Sequence, residues 1–269
     1  MRLALLQTNA ILGAVNTNIV RAKALLEQLP PSQLDLIILP ELAFSGYNFQ
    51  SPKQITPFIE TAKNSPSRTW AQEIARQYNC AVLIGLPTQD THRNNTATLV
   101  DRSGTVVHEY YKHHMFETDH KWGCTPGPEF SYTSLLLDDK SVRTSVGICM
   151  DLNPWEFKAP FSSYEYANYI LRNDITLVLL PMAWLLPKDY DLSVSPAPSM
   201  STLHYWVGRL EPLIDDPKIR IVVICNRTGE EEEAVYAGTS CVLRVGAGNA
   251  IILGLLGRKE EVLVIDVSL

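Results

Sequence analysis

Three side chains in this 269-residue sequence could together break an amide bond: Cys149, Glu41 and Lys112. Cys149 lies in SVGICMDLNPWEF, where an apolar β-type stretch (Val142, Val146, Ile148) runs into the thiol and then into a proline-led helical start. That order predicts a nucleophile on a sharp strand-to-helix turn, with backbone N–H groups pointing at whatever it attacks. Glu41 follows the strand LIILP at its carboxyl end, the edge where open α/β sheets bind ligands. Among Leu39, Leu42 and Phe44 a carboxylate is partly desolvated, which raises its pKa and suits it to general-base work. Lys112 ends VVHEYYK and could serve as a fixed cation facing an oxyanion. Taken singly, each has a plainer reading: a buried thiol, a loop glutamate in water, a solvated lysine at a strand end.

The elements that must position them alternate between strand-like and helix-like patterns. Strands are expected at Arg2–Gln7, Leu36–Leu39, Ala81–Leu86, Ile175–Leu180 and Ile219–Cys225, and helices at Asn18–Gln28, Pro52–Lys63, Pro66–Tyr78, Pro154–Leu171 and Ser199–Leu213. Thr96–Asp101 and Thr105–Tyr111 flank Arg-Ser-Gly as a hairpin. Tyr132–Leu137 and Val142–Cys149 read as strands around a turn at Asp138–Lys140, and Tyr236–Val267 as a β-rich tail. Continuous apolar strands such as LIILP and LVLLP fit sheets covered on both faces. The expectation is an α/β protein with helices outside β-sheets, in one domain over 1–269, since no Gly/Ser-rich linker divides the chain. LIILPELAF and LVLLPMAWL resemble each other and hint at two related half-sheets.

Composition excludes several classes. With 46% apolar and 19% charged residues the chain reads as globular, and a net charge of −6 without a basic stripe argues against nucleic-acid binding. Five widely spaced cysteines show no metal-ligand or disulfide pattern, so neither a metal nor a disulfide framework is expected, and a reducing compartment is. Gln7 and Asn9 interrupt the opening apolar run, and no stretch approaches ~18 apolar residues. The expected location is the cytoplasm, with the nucleus open to it, and no membrane partner.

ILPELAFSGY, YYKHHMF and SVGICMDLNPWEF, in that order, resemble the signature blocks of the carbon–nitrogen hydrolase (nitrilase) superfamily. MRLALLQTNAILGAVNTN, GLP at 85–87, CNRTG and YAGTS extend the likeness over nearly the whole chain. The resemblance implies a four-layer αββα sandwich, a Glu41–Lys112–Cys149 triad and, in many members, a homodimer. It implies a thioester on Cys149, an oxyanion held by Lys112 and the Met150 backbone N–H, and no cofactor. Many members carry a second glutamate eight residues after the lysine; here that position is His120, with Glu117, Asp119 and Glu129 nearby.

CMDLNPWEF, TDHKWGC at 118–124, PMAWL and HYWVGRLEPLI are similar to blocks of fungal-type N-terminal asparagine/glutamine amidases. That likeness implies peptides or proteins led by Asn or Gln as partners, deamidated to Asp or Glu in the N-degron route. Such a substrate carries an α-ammonium near the scissile amide. Asp151 is the first candidate to meet it and Asp119 the second, though Asp151 could equally cap a helix. His120 could donate to substrate, or be an ordinary loop histidine. Trp122, Trp155 and Trp184 could wall the pocket, with core packing the better reading for at least one. Two other functions remain: a small-molecule ω-amidase or carbamoylase, and a non-catalytic binding module, against which the complete triad speaks.

Overall fold

The computed structural model describes residues 1–29, 33–137, 140–187, 190 and 196–268. Its strands, in chain order, begin with β1 (Arg2–Gln7), β2 (Leu36–Ile38), β3 (Ala81–Gln89), β4 (Arg93–Val100) and β5 (Val106–Tyr111). They continue with β6 (Ser131–Leu137), β7 (Lys140–Val146), β8 (Leu177–Met182) and β9 (Arg220–Asn226). The short β10 (Glu230–Glu231) and β11 (Ala234–Val235) follow, then β12 (Cys241–Gly246), β13 (Asn249–Leu255) and β14 (Glu261–Asp266). One sheet runs β14-β1-β2-β3-β4-β5 and the other β13-β12-β9-β8-β7-β6. Each contains a parallel triple, β1-β2-β3 or β7-β8-β9, flanked by antiparallel strands. LIILP and LVLLP supply β2 and β8, the middle strands of the two triples.

The period of two along β1 explains the layering. Leu3 and Leu5, with Leu36, Ile38 and Leu83, face the second sheet in one large core. Ala4 and Leu6, with Ile37 and Val82, face outward beneath helices α1 (Val15–Glu27) and α3 (Pro66–Tyr78) through Ala22, Leu26, Trp70 and Ile74. Both faces of a strand are therefore buried, which is why these strands are apolar throughout rather than alternating. Burying each such Leu or Ile contributes roughly 1.5–3 kcal/mol. Where the sheets meet, the Cys225 thiol of β9 points at the carbonyls of Leu6 and Ile38, at 3.5 and 3.3 Å. The second sheet is covered by α5 (Glu165–Arg172), α6 (Met200–Arg209) and α7 (Glu211–Asp215). The expected four-layer αββα sandwich is present.

Three expected helices are shorter than their patterns, each for a proline. The helix at 52–63 is α2 (Pro52–Ile55) and then a 3₁₀ turn, because Pro57 has no N–H and disfavours helix in Thr56. The helix at 199–213 breaks at Leu210, ahead of Pro212. The helix at 154–171 survives only as α5. Pro160 and the left-handed residues Glu156, Phe157 and Tyr164 leave two 3₁₀ turns before it. At the turn at Asp138–Lys140, Asp138 and Asp139 lie outside the described residues.

Candidate active site

The carboxyl ends of β2, β5 and β7 deliver Glu41, Lys112 and Cys149 to one place. Glu41 follows β2 in a turn whose next residue, Leu42, has φ +44°. A Cβ on Gly85 of the neighbouring β3 would lie 2.7 Å from the Glu41 Cα, so only glycine lets this turn sit against the sheet. Lys112, fully buried, donates to Glu41 Oε1 at 2.6 Å and pairs with Asp119 Oδ2 at 2.7 Å. Asn95 Nδ2, from β4, reaches both carboxylates, at 2.7 Å to Glu41 and 3.1 Å to Asp119. Glu41 Oε2 accepts from the Ala183 N–H at 2.8 Å, just past β8.

Cys149 sits at φ +42° on the turn after β7 and is 8% exposed. The left-handed region costs a non-glycine residue about 1–2 kcal/mol, so the turn is strained, as a nucleophile elbow is expected to be. Asp151 holds that turn. Its Oδ2 accepts from the Ile148 N–H (2.7 Å) and the Tyr110 hydroxyl (2.8 Å); its Oδ1 accepts from the N–H groups of His113 (3.1 Å) and His114 (2.7 Å). The carboxylate thus ties the elbow to the chain just after Lys112. Asp151→Asn opposes an NH₂ to two of these donors and should lower unfolding stability by about 3 kcal/mol, read as a fall in urea midpoint. An unchanged midpoint would remove Asp151 from this role.

Charge in the cluster is set by burial and by the neighbours. Burial raises the Glu41 pKa and the nearby Asp119 charge raises it further, against Lys112 and two hydrogen bonds. Burial opposes charge on Lys112, but Asp119 and Glu41 together overcome it and hold the ammonium well above the usual lysine range. Burial, and then Glu41, push the Cys149 thiol up, while Lys112 and the Ala183 N–H pull the other way. The resting arrangement is a neutral thiol beside a carboxylate of raised basicity and a permanent cation. It can move a proton from sulfur to Glu41 and stabilise negative charge next to Lys112.

A cavity of about 150 Å³ opens onto Cys149. Tyr47, Phe116, Phe157 and Trp184 give it aromatic walls, and Met150, Asn153, Ala183 and Leu185 complete the lining. A second depression adjoins it across Phe116 and Phe157.

The expected substrate residues distribute unevenly over this geometry. Met150 and Trp184 line the cavity. Asp151 does not: all its strong acceptor positions are spent on the elbow, leaving none for an ammonium. Asp119 is spent too, on Lys112, Asn95 and the Phe116 N–H (2.9 Å). Asp119 rather than His120 sits beside the lysine, because Asp119 is on the buried face of helix α4 (Glu117–Lys121) and His120 on the exposed one. His120 lines the adjoining depression instead. Glu117 is exposed and pairs with Lys121, and Glu129 is exposed.

Trp122 is wholly buried among Phe49, Ile55, Met115 and Cys124, so it is core. Trp155 packs on the rings of His113 and His114 rather than in the cavity. Asn95, Tyr47, Phe116, Asn153 and Phe157 escaped the sequence reading. Tyr47, Phe116, Asn153 and Phe157 each lie inside one of the three quoted blocks, which was the signal that could have found them; Asn95 carried none.

A carbon-nitrogen hydrolase family model matches residues 2–153. The protein N-terminal amidase of Schizosaccharomyces pombe is 36% identical over 94% of this chain and 94% of its own. The protein N-terminal amidase of Saccharomyces cerevisiae is 31% identical over 69% of this chain, a match spanning 45% of that relative's length. Among solved structures, an N-terminal amidase with an Asn-Glu-Ala peptide superposes with a TM-score of 0.91 at 21% identity, over 99% of this chain and 97% of its own, which shows a common fold.

Proposed function

This chain belongs to the carbon-nitrogen hydrolase family, and on that premise we propose that it is a cysteine-dependent N-terminal amidase, converting an N-terminal Asn or Gln to Asp or Glu with release of ammonia. The observation that carries the reading is Lys112 held between two buried carboxylates, Glu41 and Asp119, under the strained Cys149 elbow. We assign nucleophile, base and cation to Cys149, Glu41 and Lys112, within one catalytic unit spanning the chain.

In the first step the Cys149 proton passes to Glu41 and the sulfur bonds to the side-chain amide carbon. The carbonyl electron pair moves onto oxygen, and Lys112 with the Met150 N–H holds the resulting oxyanion. As the oxyanion collapses the C–N bond breaks, the nitrogen takes the proton from Glu41, and ammonia leaves a thioester on Cys149. Water then gives a proton to Glu41 and its oxygen attacks the thioester. As that intermediate collapses the C–S bond breaks, Glu41 returns its proton to the sulfur, and the carboxylic acid product leaves and ionises in solvent. Asp119 holds Lys112 against Glu41 throughout.

The lining also separates the peptide reading from the small-molecule one. No lysine or arginine lines the cavity among the described residues, and Lys112 behind it is already paired with Glu41 and Asp119, which leaves a small substrate's own carboxylate without a cation of its own. A peptide chain has a way out across Phe116 and Phe157 into the adjoining depression. The five cysteines are free, which suits substrates met in a reducing cytoplasm. Among the described residues no helix is long and apolar enough to cross a membrane.

Purified protein should release ammonia from Asn- and Gln-led peptides and not from their N-acetylated forms. Turnover of free glutamine derivatives or carbamoyl amino acids, with none on peptides, would overturn this reading.

A further inference from the structure

The candidates expected from sequence to meet the substrate α-ammonium, Asp151 and Asp119, are committed elsewhere, and no carboxylate lines the cavity among the described residues. One lining side chain offers what is missing. Tyr47 is 3% exposed, lines the same cavity as Cys149, and its hydroxyl has no hydrogen-bond partner among the described residues. A buried hydroxyl left unpaired costs about 1–3 kcal/mol, a cost that a bound ligand removes by supplying the partner. Asn153 is a poorer candidate, since its Oδ1 already accepts from the Tyr205 hydroxyl at 2.7 Å and its Nδ2 contacts the Met150 sulfur at 3.2 Å.

Resting on the amidase reading, we infer that the Tyr47 hydroxyl accepts a hydrogen bond from the substrate α-ammonium, which lies against the Trp184 ring, so that an uncharged aromatic lip selects for a free N-terminus. In an Asn-led peptide only Cα and Cβ separate that nitrogen from the carbon attacked by Cys149, so one cavity must hold both. Behind the lining, the buried carboxylates Glu41, Asp119, Asp151 and Glu231 outnumber the buried cations Lys112, Arg209 and Arg227, which favours a cationic guest. An aromatic face adds attraction for an ammonium.

Tyr47 is also preorganised. Its N–H donates to both oxygens of Glu231, at 3.3 and 3.1 Å, and the Lys112 ammonium lies 5.4 Å from its ring centroid. Glu231 is itself held by Arg227 and by the Tyr236 hydroxyl, each at 2.6 Å. The CNRTG and YAGTS blocks thus support Tyr47 rather than contact substrate. Burial, and the negative charges of Asp119 and Glu41, hold its hydroxyl well above the usual tyrosine range, so it stays protonated and neutral.

The test pairs Tyr47→Phe with two peptides of identical scissile amide: an Asn-led peptide, and its analogue with hydrogen in place of the α-amino group. Tyr47→Phe should lower kcat/KM on the Asn-led peptide about tenfold or more, mainly through KM, and leave the desamino peptide unchanged. Where the desamino peptide turns over too slowly, binding of both peptides to Cys149→Ala and to its Tyr47→Phe double variant gives the same comparison. Equal losses on both peptides would assign Tyr47 to the scissile amide or to packing and overturn the inference, as would no loss on either. Wild-type protein that releases ammonia from no Asn- or Gln-led peptide would instead sink the amidase reading itself.

Discussion

Cys149→Ala should lower ammonia release from Asn- and Gln-led peptides by about 10⁴-fold or more while leaving peptide binding in place. No other thiol can substitute. Cys80 packs beneath the first sheet, and Cys225 and Cys241 lie in the large core. Cys124 is packed where the Asn95 N–H contacts its sulfur at 3.2 Å, and burial pushes its thiol up. Alanine at φ +42° pays the same left-handed cost as cysteine, so the elbow keeps its shape and the loss reports chemistry. Mass spectrometry with a slowly hydrolysed substrate should find an acyl adduct on the wild-type chain and none on the variant. A variant that kept full turnover would end the argument from Cys149.

Asp119→Asn should lower kcat/KM by about 100-fold and change its pH profile, while His120→Ala should do neither. The amide keeps the shape and can still accept from the Phe116 N–H. What disappears is one of the two negative charges that hold Lys112. The direction of the pH change follows from the charges. Asp119 raises the pKa of Glu41, so removing it lets that pKa fall, and the acid limb of kcat/KM moves to lower pH. Lys112 loses the larger of the two attractions that keep it charged. Residual activity with an unshifted acid limb would reduce Asp119 to a structural residue, and a shift caused by His120→Ala would restore the position eight after the lysine.

That Glu41, Lys112 and Cys149 meet was legible because each is positioned by its own strand. LIILP, VVHEYYK and SVGICM each announce a buried strand, and a residue at the end of a parallel-triple or neighbouring strand arrives at one edge of the sandwich. The layers were legible for the same reason: unbroken apolar runs mean two covered faces. Helix lengths were less so. A 3.6-residue pattern continues through Pro57 and Pro160 on paper, while the backbone cannot, and Phe157, at the cavity, has a left-handed backbone like Glu156 before it.

The substrate side was legible only in outline. Asp119 and His120 are adjacent in sequence, yet one rotation step of α4 buries the first against Lys112 and turns the second to solvent. Asp151 follows the nucleophile closely and looked like a ligand, but its oxygens are consumed by four donors, one in its own turn and three in the distant segment 110–114. Hydrogen-bond satisfaction is a property of the assembled chain, so spacing could not reveal which carboxylates were spent. Nor could it show that Tyr47 holds an unspent hydroxyl, or that Trp122 and Cys124 lie in core rather than cavity. The local sequence determined the strands and the places of Glu41, Lys112 and Cys149 at their ends. The tertiary structure alone decided which polar atoms remain free to meet a substrate, because each is paired or left open by residues distant in the chain.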